Sequence, residues 1–389
     1  MKRIDIFLGL FLLVMAGCGG SKQSTDFITV DVTKSYPEKE LILQDFMDVE
    51  YVALETTDEF LTQGEVMDVG KEIILVKNQR NDGDVFVYDR QGKGLRKFNR
   101  RGQGPEEYLF VLGIILDEEN GEIFVNDYSK GIMVYDLYGK FLRRFPSRDD
   151  VSYTAVQNFD KEHLICGEST FLADEQSTES QPCAIISKKD GNIVHDIRVR
   201  FEKTVNTKIS ADGGMFMIPL SANMKSFFPY RDSWIVTELS SDTIYSLLPD
   251  FNLTPFMERT PSIHSMNPEI FLLPIILTDR YYFMETLKKE VEKIQGFFPR
   301  IKLIYDRQEK TIYRYTVSNA DYATPKAVEF SFNLFAGMNK EIAFSQKIEA
   351  FELVEANRKG ELKGRLKEIA AGLDEEDNPV IMLIKHRNN

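Results

Sequence analysis

The sequence predicts an all-β chain built from repeated four-strand units, and three observations carry that reading. The first is an internal repeat. Residues 85–98, VFVYDRQGKGLRKF, lie over residues 132–145, IMVYDLYGKFLRRF, at an offset of 47 without a gap. Val87, Tyr88, Asp89, Gly92, Lys93, Leu95, Arg96 and Phe98 match Val134, Tyr135, Asp136, Gly139, Lys140, Leu142, Arg143 and Phe145. The second is the form of the repeat, an apolar β-forming run, a turn of Asp and Gly type, and a second run, which is the pattern of a β-hairpin. Weaker copies follow at 184–197, 243–256 and 303–315. The third is what precedes each hairpin. Before the second copy, residues 113–116 and 122–125 flank a turn at 117–121, giving four short strands per unit. Four strands in about 45–60 residues is the period of a propeller blade. Residues 30–389 divided by six leave about 60 residues per unit, so the expected fold is a six-bladed β-propeller with short helical segments near the C-terminus.

Taken from the N-terminus, the first element is a leader. Lys2 and Arg3 precede an apolar run at 6–15, followed by Ala16, Gly17 and Cys18. The run is too short to span a bilayer as a helix, which takes roughly 20 residues, and it has the layout of a secretory signal. The small pair before Cys18 resembles the lipobox of bacterial lipoproteins. That resemblance implies that residues 1–17 are a signal peptide and that Cys18 is the first mature residue and carries the lipid. Residues 18–29 then form a polar, flexible tether, and the propeller occupies 30–389. The tether holds Lys22 and no acid before Asp26, which favours the periplasmic face of the outer membrane over the cell surface.

The two ends of the propeller are expected to meet. Residues 48–54 alternate and are rich in β-formers, and residues 380–385 are continuously apolar. Pairing them in one blade removes the open edge that an unclosed propeller would expose. Before the last strand, Ile348, Phe351, Val354, Leu362, Leu366 and Ile369 recur at helical spacing, predicting a helical insert at about 345–371 that packs outside the last blade, broken at Gly360.

Residues 102–145 resemble one NHL-type propeller repeat in their opening Gly102-x-Gly104-Pro105, their Asp-rich central turn and their closing Tyr135-Asp136-x-x-Gly139-Lys140. The mature chain as a whole is similar to the six-bladed β-propeller lipoproteins of Bacteroidota. Gly131 stands where such repeats carry an arginine, so their salt-bridge pattern is not carried over. The resemblance implies a fold and leaves the activity open, because propellers host binders, hydrolases, lyases and scaffolds.

Composition narrows the function. With 61 acidic against 48 basic side chains the formal net charge is −13, the wrong sign for a nucleic-acid binder. The histidines His163, His195, His264 and His386 give no trio of metal ligands, and His386 reads as a tail residue. No Gly-x-Ser-x-Gly elbow is present, and no catalytic residue is assigned. The acidic runs at 117–121 and 374–378 lack EF-hand spacing and read as turns. No cofactor is therefore expected, although scattered channel residues holding Ca²⁺ stay open. Residues 102–105 lack the Lys-Ser/Thr of a phosphate loop and read as a blade crossover. Cys166 and Cys183 lie in strand-like runs, either as a disulfide allowed by an oxidising periplasm or as two buried thiols. Arg96, Lys97, Arg100, Arg101, Arg143 and Arg144 read as a solvated rim, with Arg100, Arg101 and Tyr128 as candidate ligand-binding residues. The expected role is a monomeric, membrane-anchored module that binds a glycan, peptide or protein partner. The alternative is a lactonase- or lyase-like enzyme with one divalent ion in the channel.

Overall fold

Residues 73–76 and 85–88 are buried at every position, because the middle strands of a blade are covered on both faces by neighbouring blades. Outer strands see one neighbour and alternate instead, as at 94–99 and 141–145. The computed structural model describes residues 27–79, 82–146, 153–168, 177–211, 216–219, 226–290, 298–330 and 339–387. The expected signal peptide and Cys18 lie outside the described residues.

The chain opens with an arm: β1 (Ile28–Asp31), β2 (Glu38–Ile42), the single-turn α1 (Leu43–Phe46) and β3 (Met47–Ala53). Blade 1 follows as β4 (Glu65–Val69), β5 (Ile73–Lys77), β6 (Asp84–Asp89) and β7 (Gly94–Asn99). Blade 2 is β8 (Val111–Asp117), β9 (Glu122–Asp127), β10 (Gly131–Asp136) and β11 (Phe141–Phe145). Blade 3 is β12 (Tyr153–Asn158), β13 (His163–Glu168), β14 (Glu179–Ser187) and β15 (Ile193–Arg200). A separate hairpin, β16 (Lys208–Ala211) with β17 (Phe216–Pro219), precedes blade 4. Blade 4 is β18 (Phe227–Tyr230), β19 (Ser233–Val236), β20 (Thr243–Leu247) and β21 (Leu253–Thr260). Blade 5 is β22 (Ile270–Leu277), β23 (Tyr281–Lys288), β24 (Arg300–Asp306) and β25 (Thr311–Asn319), with the short β26 (Lys326–Ala327) beside β25. Blade 6 joins both ends of the chain: β27 (Ile342–Ile348), β28 (Val380–His386) and β3. The fold is a six-bladed β-propeller.

Ring closure is antiparallel and in register, from Val380 opposite Ala53 to His386 opposite Met47. Each of the six seams between blades holds its own apolar cluster, because alternate residues of a strand face opposite neighbours. Leu75 and Val87 meet Ile123 and Met133 between blades 1 and 2, while Ile74 and Phe86 meet Ile381 and Leu383 between blades 1 and 6. The arm does more than close the ring. β1 adds parallel to the outer strand β21, and β2 adds parallel to β25, so the arm runs along the rim over blades 4 and 5 before entering blade 6.

Three expectations need correction. β1 begins at Ile28, inside the stretch expected to be tether, because Ile28 and Val30 are buried against blade 4. Residues 345–348 of the expected helical insert belong to β27, whose pairing with β28 takes them. The helices are α2 (Ala350–Arg358) and α3 (Gly364–Ala370), separated by Gly360 at φ +71°. Leu353, Leu366 and Ala370 enter the cluster shared by blades 5 and 6, with α3 against β3, the outer strand of the last blade, and Phe351 is exposed. The third correction concerns the cysteines, which are buried thiols and not a disulfide. Cys166 is opposite Ala184 and Gly167 is opposite Cys183, so the two sulfur-bearing side chains leave opposite faces of blade 3. Cys166 packs toward blade 2 and Cys183 toward blade 4. Among the described residues no helix is long and apolar enough to cross a membrane.

Candidate functional site

In blades 1–5 the innermost strand ends, and the outermost begins, on one face of the ring; the turns after β5, β9 and β19 and the blade crossovers lie on the other. Of the residues singled out from sequence, Arg101 in the crossover after β7 and Tyr128 in the turn after β9 are on the crossover face, whereas Arg96, Arg100 and Arg143 reach carbonyls of the turns before β11 and β15. Arg100 donates from Nε to the Gly139 carbonyl of blade 2 at 2.7 Å, so it ties two blades together. Arg96 does the same to the Leu137 carbonyl at 2.5 Å. Arg143 bonds the Lys188 carbonyl of blade 3 and holds Glu122 through both guanidinium ends. These rim arginines are inter-blade ties. Arg101 is exposed and bridges through its backbone to Tyr108. Tyr128 is 63% exposed beside Phe110, whose carbonyl accepts its backbone N–H. Arg100, Arg101 and Tyr128 are thus not gathered around the cavity between blades 4, 5 and 6.

That cavity lies on the face opposite the crossovers, where the three blades meet. It encloses about 380 Å³ and is lined by Asp45, Phe46, Pro229, Tyr230, Arg231, Leu277, Thr278, Asp279, Arg280, Gln308, Lys340, His386 and Arg387. Each side chain arrives there for a local reason. Arg231 occupies the tight turn after β18 at φ +53°, and its guanidinium reaches across to blade 5. Nη2 and Nε bond Asp279 Oδ1 at 2.6 and 3.2 Å, while the guanidinium carbon stands 5.2 Å from the Tyr230 ring centroid. Arg280, in the equivalent turn of blade 5, lies 4.8 Å from the Tyr281 centroid and donates to Asp306 at 3.2 Å. Phe46 forms the apolar wall, stacked on Phe283 at 5.4 Å.

Asp306 anchors this architecture from below. Its side chain is fully buried and accepts from Lys39 Nζ at 2.7 Å, from Arg280, and from the backbone N–H groups of Gln308 and Glu309. Burial alone would raise its carboxyl, but these donors outweigh burial and hold it below the usual carboxylate range. Arg387 seals another side, donating to the carbonyls of Gln44 and Asp45 and to Asp48. The pKa of His386 is lowered too, but by burial, and the nearby Asp279 charge restores part of the shift. Four cationic side chains, Arg231, Arg280, Lys340 and Arg387, line the cavity with Asp45 and Asp279, and each has an acid partner: Asp279, Asp306, Asp232 and Asp48 respectively. Among the described residues no cluster of three or more His, Cys, Asp or Glu side chains is placed to hold a metal ion.

Sequence reasoning missed these residues because they share no motif. Arg231 and Arg280 become equivalent only once strands are assigned to blades, and His386 reaches the cavity through ring closure.

Comparison with known proteins places the chain in a family. Residues 27–385 match DUF4934, a domain of unknown function. The chain belongs to the DUF4934 family. No curated protein matches it in sequence. Among solved structures this DUF4934 protein is similar to one from Bacteroides fragilis NCTC 9343 described as exported. Their TM-score is 0.60 at 14% identity, over 93% of this chain and 100% of the other. It is also similar to a DUF4221-family member from Bacteroides vulgatus ATCC 8482, with TM-score 0.47 and 10% identity over 89% of this chain and 100% of that one. At such identities the first likeness speaks for the fold that DUF4934 adopts here.

Proposed function

We propose that this protein is a binding module of the cell envelope, held at the outer membrane by lipid on Cys18, that engages a glycan, peptide or protein partner without chemical turnover. The observation that carries the reading is the cavity between blades 4, 5 and 6. Its walls are fixed by ion pairs and ring stacking before any ligand arrives, which lowers the ordering cost of binding. Its cationic and hydrogen-bonding groups converge on a concave space, the usual make-up of a ligand site. Support for the envelope comes from the leader sequence and from the exported description of the B. fragilis neighbour.

Two measurements test this reading. Thermal shift against glycans, peptides and divalent metals, with and without chelator, separates binding classes. A ligand at one hundred times its Kd adds about 2.7 kcal/mol to stability, which moves the midpoint by a few degrees at this size. A glycan or peptide shift is the expected result; a metal shift reversed by chelator would favour the channel-metal enzyme instead. For the anchor, Cys18→Ser is expected to abolish fatty-acid labelling and release the protein from the membrane fraction. Unchanged labelling would overturn the anchor.

A further inference from the structure

We propose that the cavity between blades 4, 5 and 6 binds a small molecule through an oxyanion, a carboxylate or a phosphate. This deepens the binding reading above and rests on it.

The charge balance comes first. The whole chain carries −13, yet four cationic side chains, Arg231, Arg280, Lys340 and Arg387, line the cavity beside two carboxylates, Asp45 and Asp279, while Asp306, Asp232 and Asp48 pair with Arg280, Lys340 and Arg387 from outside its lining. One of the two lining carboxylates is already engaged, since Asp279 accepts from two nitrogens of Arg231. The other, Asp45, is exposed to solvent and correspondingly screened.

Donor geometry comes second. Arg231 meets Asp279 with its Nε–Nη2 edge, and Arg280 meets Asp306 with Nη2. These bonds use Nε and Nη2 of Arg231 and Nη2 of Arg280, and among the described residues Nε of Arg280 is buried without a partner. A guanidinium has five N–H donors in a rigid fork matched to planar or tetrahedral oxyanions. Here both guanidinium groups are held in place beside the Tyr230 and Tyr281 rings and by ion pairs with Asp279 and Asp306. Lys340 adds an exposed ammonium at the rim, 3.4 Å from the exposed Asp232.

A purely structural account leaves something over. Arg231 is needed to balance Asp279, and Arg280 with Lys39 balances the buried Asp306. Lys340 and His386 neutralise no buried acid, yet both line the same space. The volume, about 380 Å³, suits a monosaccharide-sized ligand and not a length of polymer.

The test is calorimetric titration of the purified protein with three matched probes: D-glucuronate, D-glucose 6-phosphate and D-glucose. At least one anionic probe is expected to bind about tenfold or more tightly than glucose, with affinity falling as salt rises. Preference between glucuronate and glucose 6-phosphate identifies the source of the oxyanion. Lys340→Glu, at an exposed position, is expected to weaken the anionic probe about tenfold or more while leaving the melting midpoint in place. Arg231→Gln should do the same and serves as a second variant, its fold checked by circular dichroism. Equal binding of all three probes, or anion binding indifferent to Lys340→Glu, overturns the inference while the binding-module reading survives. No binding of either anion also overturns it, and the wider ligand panel then decides the module reading on its own.

Discussion

At the scale of single residues, the repeat owes its glycines to packing between blades. Gly139 sits in the turn between β10 and β11 at φ +79°, and a Cβ there would stand 2.5 Å from Cγ of Phe98 in the preceding blade. Gly191 meets Phe145 at the same 2.5 Å one blade on. The aligned Phe and Gly of the repeat are therefore two halves of one contact between successive blades. Gly139→Ala should cost about 2 kcal/mol or more, from left-handed strain plus the clash, seen as a lowered melting midpoint. Gly113 is the control: a Cβ there meets nothing within 4 Å, so Gly113→Ala should stay within about 0.5 kcal/mol of the parent. A second prediction concerns His386. Its folded pKa is depressed by burial, with Asp279 offsetting part of the shift, whereas in the unfolded chain it returns to about 6.5. The unfolded state therefore binds the proton more readily, and stability falls as pH drops below about 6.5 toward the folded value. His386→Gln should remove that part of the slope, so the midpoint lost between pH 7 and pH 5.5 should be smaller in the variant. An equal loss in both proteins would show that His386 does not contribute.

At the scale of elements, the hairpins and the closing strand pair were legible, and the arm was not. β6–β7 and β10–β11 announce themselves through short-range patterns of strand and turn, and β3 and β28 through complementary needs at the two chain ends. β1 and β2 carry no such signal, because a parallel partner is chosen by the edge already present in blades 4 and 5. β1 meets residues 257–260 and β2 meets residues 314–318, both remote in sequence. The cavity was illegible for a related reason, since its side chains come from α1, three blade turns and the strands of closure. What holds the arm is Lys39, which bonds the buried Asp306 and the exposed Glu309 and lies 4.7 Å from the Tyr313 ring centroid. Lys39→Met should cost about 1–3 kcal/mol, because a buried carboxylate loses one of its charged partners. It should also speed proteolysis in the 33–37 connection. Adding Asp306→Asn to Lys39→Met should cost less than the sum of the single effects; strict additivity would mean that the two side chains act independently.

At the scale of the whole molecule, the six seams form a closed series in which each blade completes the burial of two neighbours. Blade 6 is the one place where this series depends on chain ends, through the seven-residue pairing of β28 with β3. Removing β28 takes the buried residues 380–384 out of the seams on both sides of blade 6 and leaves β27 and β3 as unpaired edges. Removing residues 27–37 instead takes away only β1 and its connection, uncovering one edge of blade 4 while every blade keeps its neighbours. The single tryptophan gives a reporter for the difference. Trp234 is 5% exposed, packed on Phe159 at 6.0 Å and Phe227 at 5.8 Å in the seam between blades 3 and 4. That seam is diametrically opposite the one between blades 6 and 1, so its environment responds to closure only if the ring folds as a unit. Truncation after Pro379 should red-shift Trp234 emission to that of the unfolded chain and abolish a cooperative thermal transition. Deletion of 27–37 should leave the emission in place and lower the midpoint. A native Trp234 signal in the Pro379 truncation would mean that blades 3 and 4 hold their packing alone, and that closure stabilises only the blades it touches.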